Sequence, residues 1–221
     1  MYRIEQIAKK FSEKISAEIT LNEDQKEVVA YGIVACLQTI FSFGLIVIFG
    51  LIFDVLPETL IIAFSISILR KYSGGAHASS PTVCAVIGTI IAVGLAAFVN
   101  YIVQPFLHIW VLIIIILITF TQAFCLIYRL APVDSPQKPI KTAKKKHRLK
   151  TASICVLLVY LLIIAINSFV YLKTNIMFFN IISFCICLGM TWQVFTLTRG
   201  GHLIFIYIDA IIKSHERRRH E

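Results

Sequence analysis

The chain has 221 residues, 58% of them hydrophobic, with a mean hydropathy of +0.83 and a formal net charge of +9. Soluble domains are about 45–50% apolar even with glycine counted, so this composition excludes a water-soluble globular protein and points to a membrane one. The excess of positive charge is not a nucleic-acid signal, because no basic groove with interleaved aromatic residues accompanies it.

Residues 1–27 carry charge throughout and show no apolar core followed by a small-residue cleavage site, so no removable leader is expected. Ile4, Ile7, Ala8, Phe11 and Ile15 share one helical face among lysines and glutamates, which predicts an amphipathic helix lying in the membrane interface. Hydrophobic runs follow at 28–53, 57–70, 82–103, 108–128, 151–171 and 176–197. The stretch 109–128 contains no charge, and about 20 such residues span a bilayer core as a helix. The run 57–70 is short and is expected to tilt or to stop part-way. The fold class is therefore all-α, a polytopic membrane protein of about six spanning helices. Its parts are an interfacial helix over 1–27, a membrane domain over 28–197 and a C-terminal segment over 198–221.

Charge orients the spans. With both termini cytoplasmic, segments 1–27, 70–81, 129–150 and 198–221 face inward and hold 20 of the 21 lysines and arginines, leaving only Lys173 outside. Lysine and arginine bias in short loops sets orientation, so this arrangement is strongly preferred over its inverse. The six cysteines, Cys36, Cys84, Cys125, Cys155, Cys185 and Cys187, form no regular framework. Five lie within predicted spans and Cys84 stands at the foot of the third, so neither a disulfide scaffold, a redox centre nor a zinc site is favoured.

The polar interruption 70–84 between the second and third runs carries the chemistry. Ser80 and Pro81 mark a helix start, at the N-cap and first helical position. Cys84 then lies at the end of the first turn, where the positive end of the helix dipole favours a thiolate. Gly74 and Gly75 give the preceding backbone freedom to fold back, which permits His77 to reach Cys84. An imidazole beside a thiol is the minimum equipment for a cysteine nucleophile. Arg70 and Lys71 stand at the membrane boundary; they either snorkel to the head groups or orient a carboxylate and keep the thiol in positive surroundings.

Asp134 sits in a proline-rich loop, Ala131–Ile140, where it caps a turn or orients His77. The basic run 141–150, with Lys141, Lys144, Lys145 and Lys146, belongs to a cytoplasmic loop expected over 129–150, and either anchors the topology against anionic lipid or guides an acidic cytoplasmic peptide. His108 reads as a boundary residue, His147 belongs to the basic run, and His202 is the one rival partner for Cys84. Four convergent ligands are lacking, so no metal and no other cofactor is expected. Arg199-Gly-Gly-His202 weakly echoes the Gly-Gly-x-His element, a match short enough to arise by chance.

Arg70, Gly74-Gly75, His77 and Cys84 in order, then Ala131-Pro-Val-Asp-Ser135 and Lys138-Pro139, resemble the accessory gene regulator B (AgrB) family of membrane cysteine endopeptidases. The resemblance extends over essentially the whole chain. It implies an AgrD-like propeptide as substrate, with an amphipathic leader, a signal core and an acidic tail. It also implies that Cys84 cleaves between core and tail with His77 as base, and that an internal nucleophile of the core then closes a thiolactone or lactone. A homodimer in the cell membrane of a Gram-positive bacterium is implied as well. The alternative from the residues alone is a non-enzymatic permease or peptide exporter. It is disfavoured because the spans lack charged residues near their middles. A metalloprotease is disfavoured by the lack of a His-Glu-x-x-His helix.

Overall fold

A computed structural model describes residues 22–76, 78, 80–134 and 142–218. The helix expected over 1–27 lies outside these residues, apart from its last six positions. Asn22 ends that segment. Its side chain accepts from the Gln25 amide at 2.8 Å while the Gln25 side chain accepts from the Asn22 amide at 3.0 Å. This reciprocal cap satisfies two orphan donors and starts α1, Glu23–Ile52.

Six helices follow: α2 Leu56–Ser73, α3 Pro81–Phe98, α4 Ile109–Leu130, α5 Ala143–Thr174, α6 Phe178–Phe195 and α7 Arg199–Arg218. The described residues contain no strand, and the protein is an all-α polytopic membrane protein. Five segments are long and apolar enough to cross a membrane: Gly32–Ile52, Pro81–Phe106, Ile109–Leu130, Ala143–Thr174 and Phe178–Phe195. Large apolar side chains such as Ile40, Ile48, Leu117, Trp110 and Phe169 stand exposed along them. Such a surface is satisfied by lipid rather than by water. The third apolar segment runs on past α3 through a π turn, Val99–Val103, and a 3-10 turn, Gln104–Phe106; Pro105 lacks the amide that a continued helix requires.

The second run is longer than its apolar residues suggest. It extends to Ser73 as an 18-residue helix, about 27 Å long at 1.5 Å per residue. Glu58, Arg70 and Lys71 lower its hydropathy; the helix shelters Glu58 and Arg70 against the bundle and leaves Lys71 exposed at its end. Val55, Ile62 and Leu69 are fully buried. α2 and α6 run in the same direction and form the central pair, with α3, α4 and α5 packed around them. Gly189 sets their distance: a Cβ there would lie 2.9 Å from the Ile62 carbonyl oxygen and 2.8 Å from the Ser65 Cβ. α5 joins the pair through the Tyr160 hydroxyl, which donates to the Ser65 carbonyl at 2.7 Å. Cys187, Met190 and Val194 of α6, Leu157 and Ile164 of α5 and Ile127 of α4 complete this core.

The basic run is helical rather than a loop. Thr142 caps α5 by accepting from the Lys145 amide. A helix of 32 residues is about 48 Å long, well beyond a ~30 Å hydrocarbon core. Its first turns therefore project from the membrane, with Lys144, Lys145 and Lys146 exposed.

Candidate active site

The connection from α2 to α3 is anchored on three sides. Gln193, fully buried near the end of α6, donates through Nε2 to the Ser73 hydroxyl at 3.1 Å and to the Gly74 carbonyl at 2.7 Å. Just beyond it, the Thr196 carbonyl accepts from the Ala76 amide at 3.0 Å. From the opposite side, the Val133 amide donates to the Ser73 carbonyl at 2.9 Å. The Arg70 guanidinium turns inward and donates to the Ala76 carbonyl. Backbone groups that no helix satisfies are thus paired one by one.

Both glycines of this segment are required by their surroundings. Gly74 has φ 71° and ψ −149°, and Gly75 has φ 132°, conformations that L residues rarely adopt. A Cβ on Gly74 would lie 2.2 Å from the Val133 carbonyl oxygen, and one on Gly75 would lie 2.6 Å from Thr196 Oγ1. The backbone is pressed between the 131–134 segment and the end of α6 with no room for a side chain.

α3 opens at Pro81 with Ser80 as N-cap, as the sequence predicts, and Gln38 of α1 donates to the Pro81 carbonyl at 3.0 Å. The Cys84 amide bonds back to the Ser80 carbonyl at 3.0 Å, so it belongs to the helix ladder. The amides without an acceptor inside α3 are those of Thr82 and Val83, since Pro81 has none. Side chains lean toward a helix N-terminus, which tips the Cys84 thiol back over this open end. Cys84 is half-buried and packs with Val83 and Ile87 against a small cluster of Ala76, Ala78 and Phe205. The positive charge of Arg70 acts on it electrostatically.

His77 itself lies outside the described residues. Its chain neighbours Ala76 and Ala78 are both buried in the cluster that Cys84 joins. Asp134 is exposed at the end of the segment that docks on Ser73 through Val133. His202 is half-buried on α7, one turn before Phe205. The Gly-Gly before it has a packing role, since a Cβ on Gly201 would lie 2.5 Å from the Phe195 carbonyl oxygen. Lys71 is exposed. Lys144, Lys145 and Lys146 project at the start of α5, and Lys141 is outside the described residues.

The sequence reading gave no role to Gln193, Thr196 or Phe205. Gln193 did carry a signal, as a polar amide within an apolar run, and polar groups inside a membrane protein rarely lack a task. Its Oε1 is buried and has no hydrogen-bond partner among the described residues.

Comparison with known proteins adds the family. A family model described as Accessory gene regulator B matches residues 5–197. An AgrB-like protein of Clostridium perfringens strain SM101 is 36% identical over 207 residues, covering 94% of this chain and 97% of the relative. AgrB-like protein 2 of Clostridium perfringens strain 13 is 35% identical with the same coverage. No solved structure matches.

Proposed function

We propose, from the premise that the chain belongs to the accessory gene regulator B family and so acts in quorum-sensing peptide processing, that it is a membrane cysteine endopeptidase and peptide cyclase. Its substrate is an AgrD-like propeptide. The observation that carries the reading is the anchored 73–76 segment, which brings the chain on either side of His77 into one cluster with Cys84 while Arg70 supplies positive charge.

In this mechanism the Cys84 thiolate attacks the carbonyl carbon of the bond between core and tail, its proton having passed to His77. The Thr82 and Val83 amides are the nearest free donors for the oxyanion. The carbon–nitrogen bond breaks, His77 returns the proton to the leaving amine, and the core remains as a thioester on Cys84. An internal thiol or hydroxyl of the core then attacks that thioester, closing the ring and restoring the Cys84 thiol. Tethering raises the effective concentration of the internal nucleophile, by factors that reach about 10⁵–10⁸ M in well-oriented systems. Exclusion of water decides between ring and hydrolysed acid. Asp134 supports the loop through its neighbour Val133, which docks on Ser73.

The protein acts in the cell membrane of a Gram-positive bacterium, with both termini cytoplasmic, surrounded by lipid and as a homodimer. Incubation with the propeptide is expected to give an adduct on Cys84 equal in mass to the propeptide without its tail, released by hydroxylamine. Tail release without any such adduct at saturating substrate would count against the thioester.

Lys144, Lys145 and Lys146 stand on the projecting start of α5, where they meet the acidic tail. Reversing them to glutamate is expected to raise KM about tenfold or more at low salt, the loss shrinking as salt screens the pair. An unchanged KM at low ionic strength removes this contact.

A further inference from the structure

α7 wears its apolar side outward. Leu203, Ile206, Tyr207, Ala210 and Ile211 lie along one helical face, and each is exposed; Tyr207 reaches 70% and Leu203 65% of full exposure. The opposite face holds Gly201 and Phe205, both buried, flanked by half-buried His202 and Asp209. Phe205 is 4% exposed and packs on Ala76 and Ala78 beside Cys84. The helix thus turns its polar flank toward the protein and its greasy face away from it, the reverse of a helix bathed in water.

What covers that face follows from where the helix begins. α6 is apolar and long enough to cross the membrane, and α7 starts at Arg199 after only three residues. It therefore begins at the membrane surface to which α6 delivers the chain. Arg199 stands at its start, and Lys213, Arg217 and Arg218 lie in its last turns. Basic ends around an apolar face match an anionic lipid surface.

We infer that α7 is a lipid-seated cover for the Cys84 site: its outer face inserts among the acyl chains at the membrane surface, and its inner face presses Phe205 onto the Ala76–Cys84 cluster and keeps water from the thiol. The seating is argued from α7 alone. Its catalytic consequence, protection of an acyl intermediate from hydrolysis, rests on the proposed role of Cys84.

The test uses the full-length protein in vesicles of phosphatidylcholine and phosphatidylglycerol. Tyr207→Trp is made with Trp110 and Trp192 replaced by phenylalanine, and lipids brominated at different chain depths serve as quenchers. Quenching is expected to be strongest from bromines near the head group, because interfacial helices sit only about 5–10 Å into the boundary. Emission unaffected by every brominated lipid overturns the seating. Alkylation by a water-soluble maleimide, read residue by residue by peptide mass spectrometry, tests the cover. Phe205→Ala is expected to speed labelling of Cys84 about tenfold, with Phe205→Leu close to wild type, since thiol reactivity follows access. Buried Cys185 and Cys187 should stay unlabelled, showing that the bundle is intact; if they react, the quenching result alone decides. Unchanged Cys84 labelling in an intact Phe205→Ala protein overturns the cover. These readouts do not require turnover, so tail release persisting in Cys84→Ala would refute the proposed chemistry while leaving them standing. In an active Phe205→Ala enzyme, the hydrolysed linear product should gain on the cyclic one.

Discussion

Cys84→Ala is expected to lose at least about 10³-fold in the rate of tail release, because nothing else at the site replaces a covalent nucleophile. His77→Ala should lose about 10²–10⁴-fold, the range that a positioned acid–base group supplies. The two residues act as one unit, so the double variant should be no slower than Cys84→Ala alone. The rate is measured with purified protein in vesicles, following release of the acidic tail by mass spectrometry. Cys84→Ser offers a sharper comparison: it keeps the size of the side chain, but a hydroxyl is a far weaker acid and nucleophile than a thiol, so tail release should fall nearly as far as in Cys84→Ala. Tail release at the wild-type rate in Cys84→Ala would remove this thiol from the mechanism, whereas no release by either protein would return the exporter reading to consideration.

The features that the sequence announces are those set locally. Ser80-Pro81 specifies a helix start through the fixed φ of proline and the N-cap position, and the structure begins α3 there. That placement alone puts Cys84 one turn into a helix, before any tertiary contact is known. The apolar runs are likewise legible, because a bilayer demands about 20 apolar residues wherever a lipid-facing helix crosses it. The 57–70 run is harder to read because one face of α2 is buried against the bundle while Phe64 and Ile68 on the other stay exposed. Its Glu58 and Arg70 are sheltered by neighbouring helices, and hydropathy carries no record of that shelter. The basic run looked like a loop because lysine-rich segments fit either state; the cap by Thr142 and its continuity with a span make it the start of α5.

The supports of the site arise from pairs far apart in the chain, which a sequence does not order. Gln193 meets Gly74 across 119 positions, and Phe205 meets Ala76 across more than one hundred residues. In the sequence, Gly74-Gly75 signals backbone freedom alone. In the structure the same residues also provide absence of bulk, between Val133 on one side and Thr196 on the other. Arg70 shows the same limit. Its place at a helix end suggested the head groups, whereas its guanidinium is directed to the Ala76 carbonyl, a destination that exists only once the segment has folded back.

The anchoring of that segment makes a second large effect predictable. Gly74→Ala would set a Cβ 2.2 Å from the Val133 carbonyl oxygen and hold an L residue at φ 71° and ψ −149°. Backbone strain of this kind costs about 1–3 kcal/mol by itself, and the contact forces the 131–134 segment or residues 74–76 to move. Either shift displaces the Ala76 carbonyl from Arg70 and disturbs the described neighbours of His77, and in the proposed mechanism a misplacement of about 1 Å can cost 10²-fold in rate. The expected result is a fall in kcat of about that size with KM nearly retained. The α2–α6 packing around Gly189 does not involve this segment, so the bundle should keep its helical content while its thermal unfolding midpoint falls by only a few degrees. Gln193→Leu should follow the same pattern more mildly. It keeps the side-chain volume but deletes the bonds to Ser73 and Gly74, worth about 0.5–1.5 kcal/mol each. A Gly74→Ala protein that folds and turns over like wild type would show that the chain around His77 need not be held where the structure places it, and the positioning role of Gln193 would fall with it.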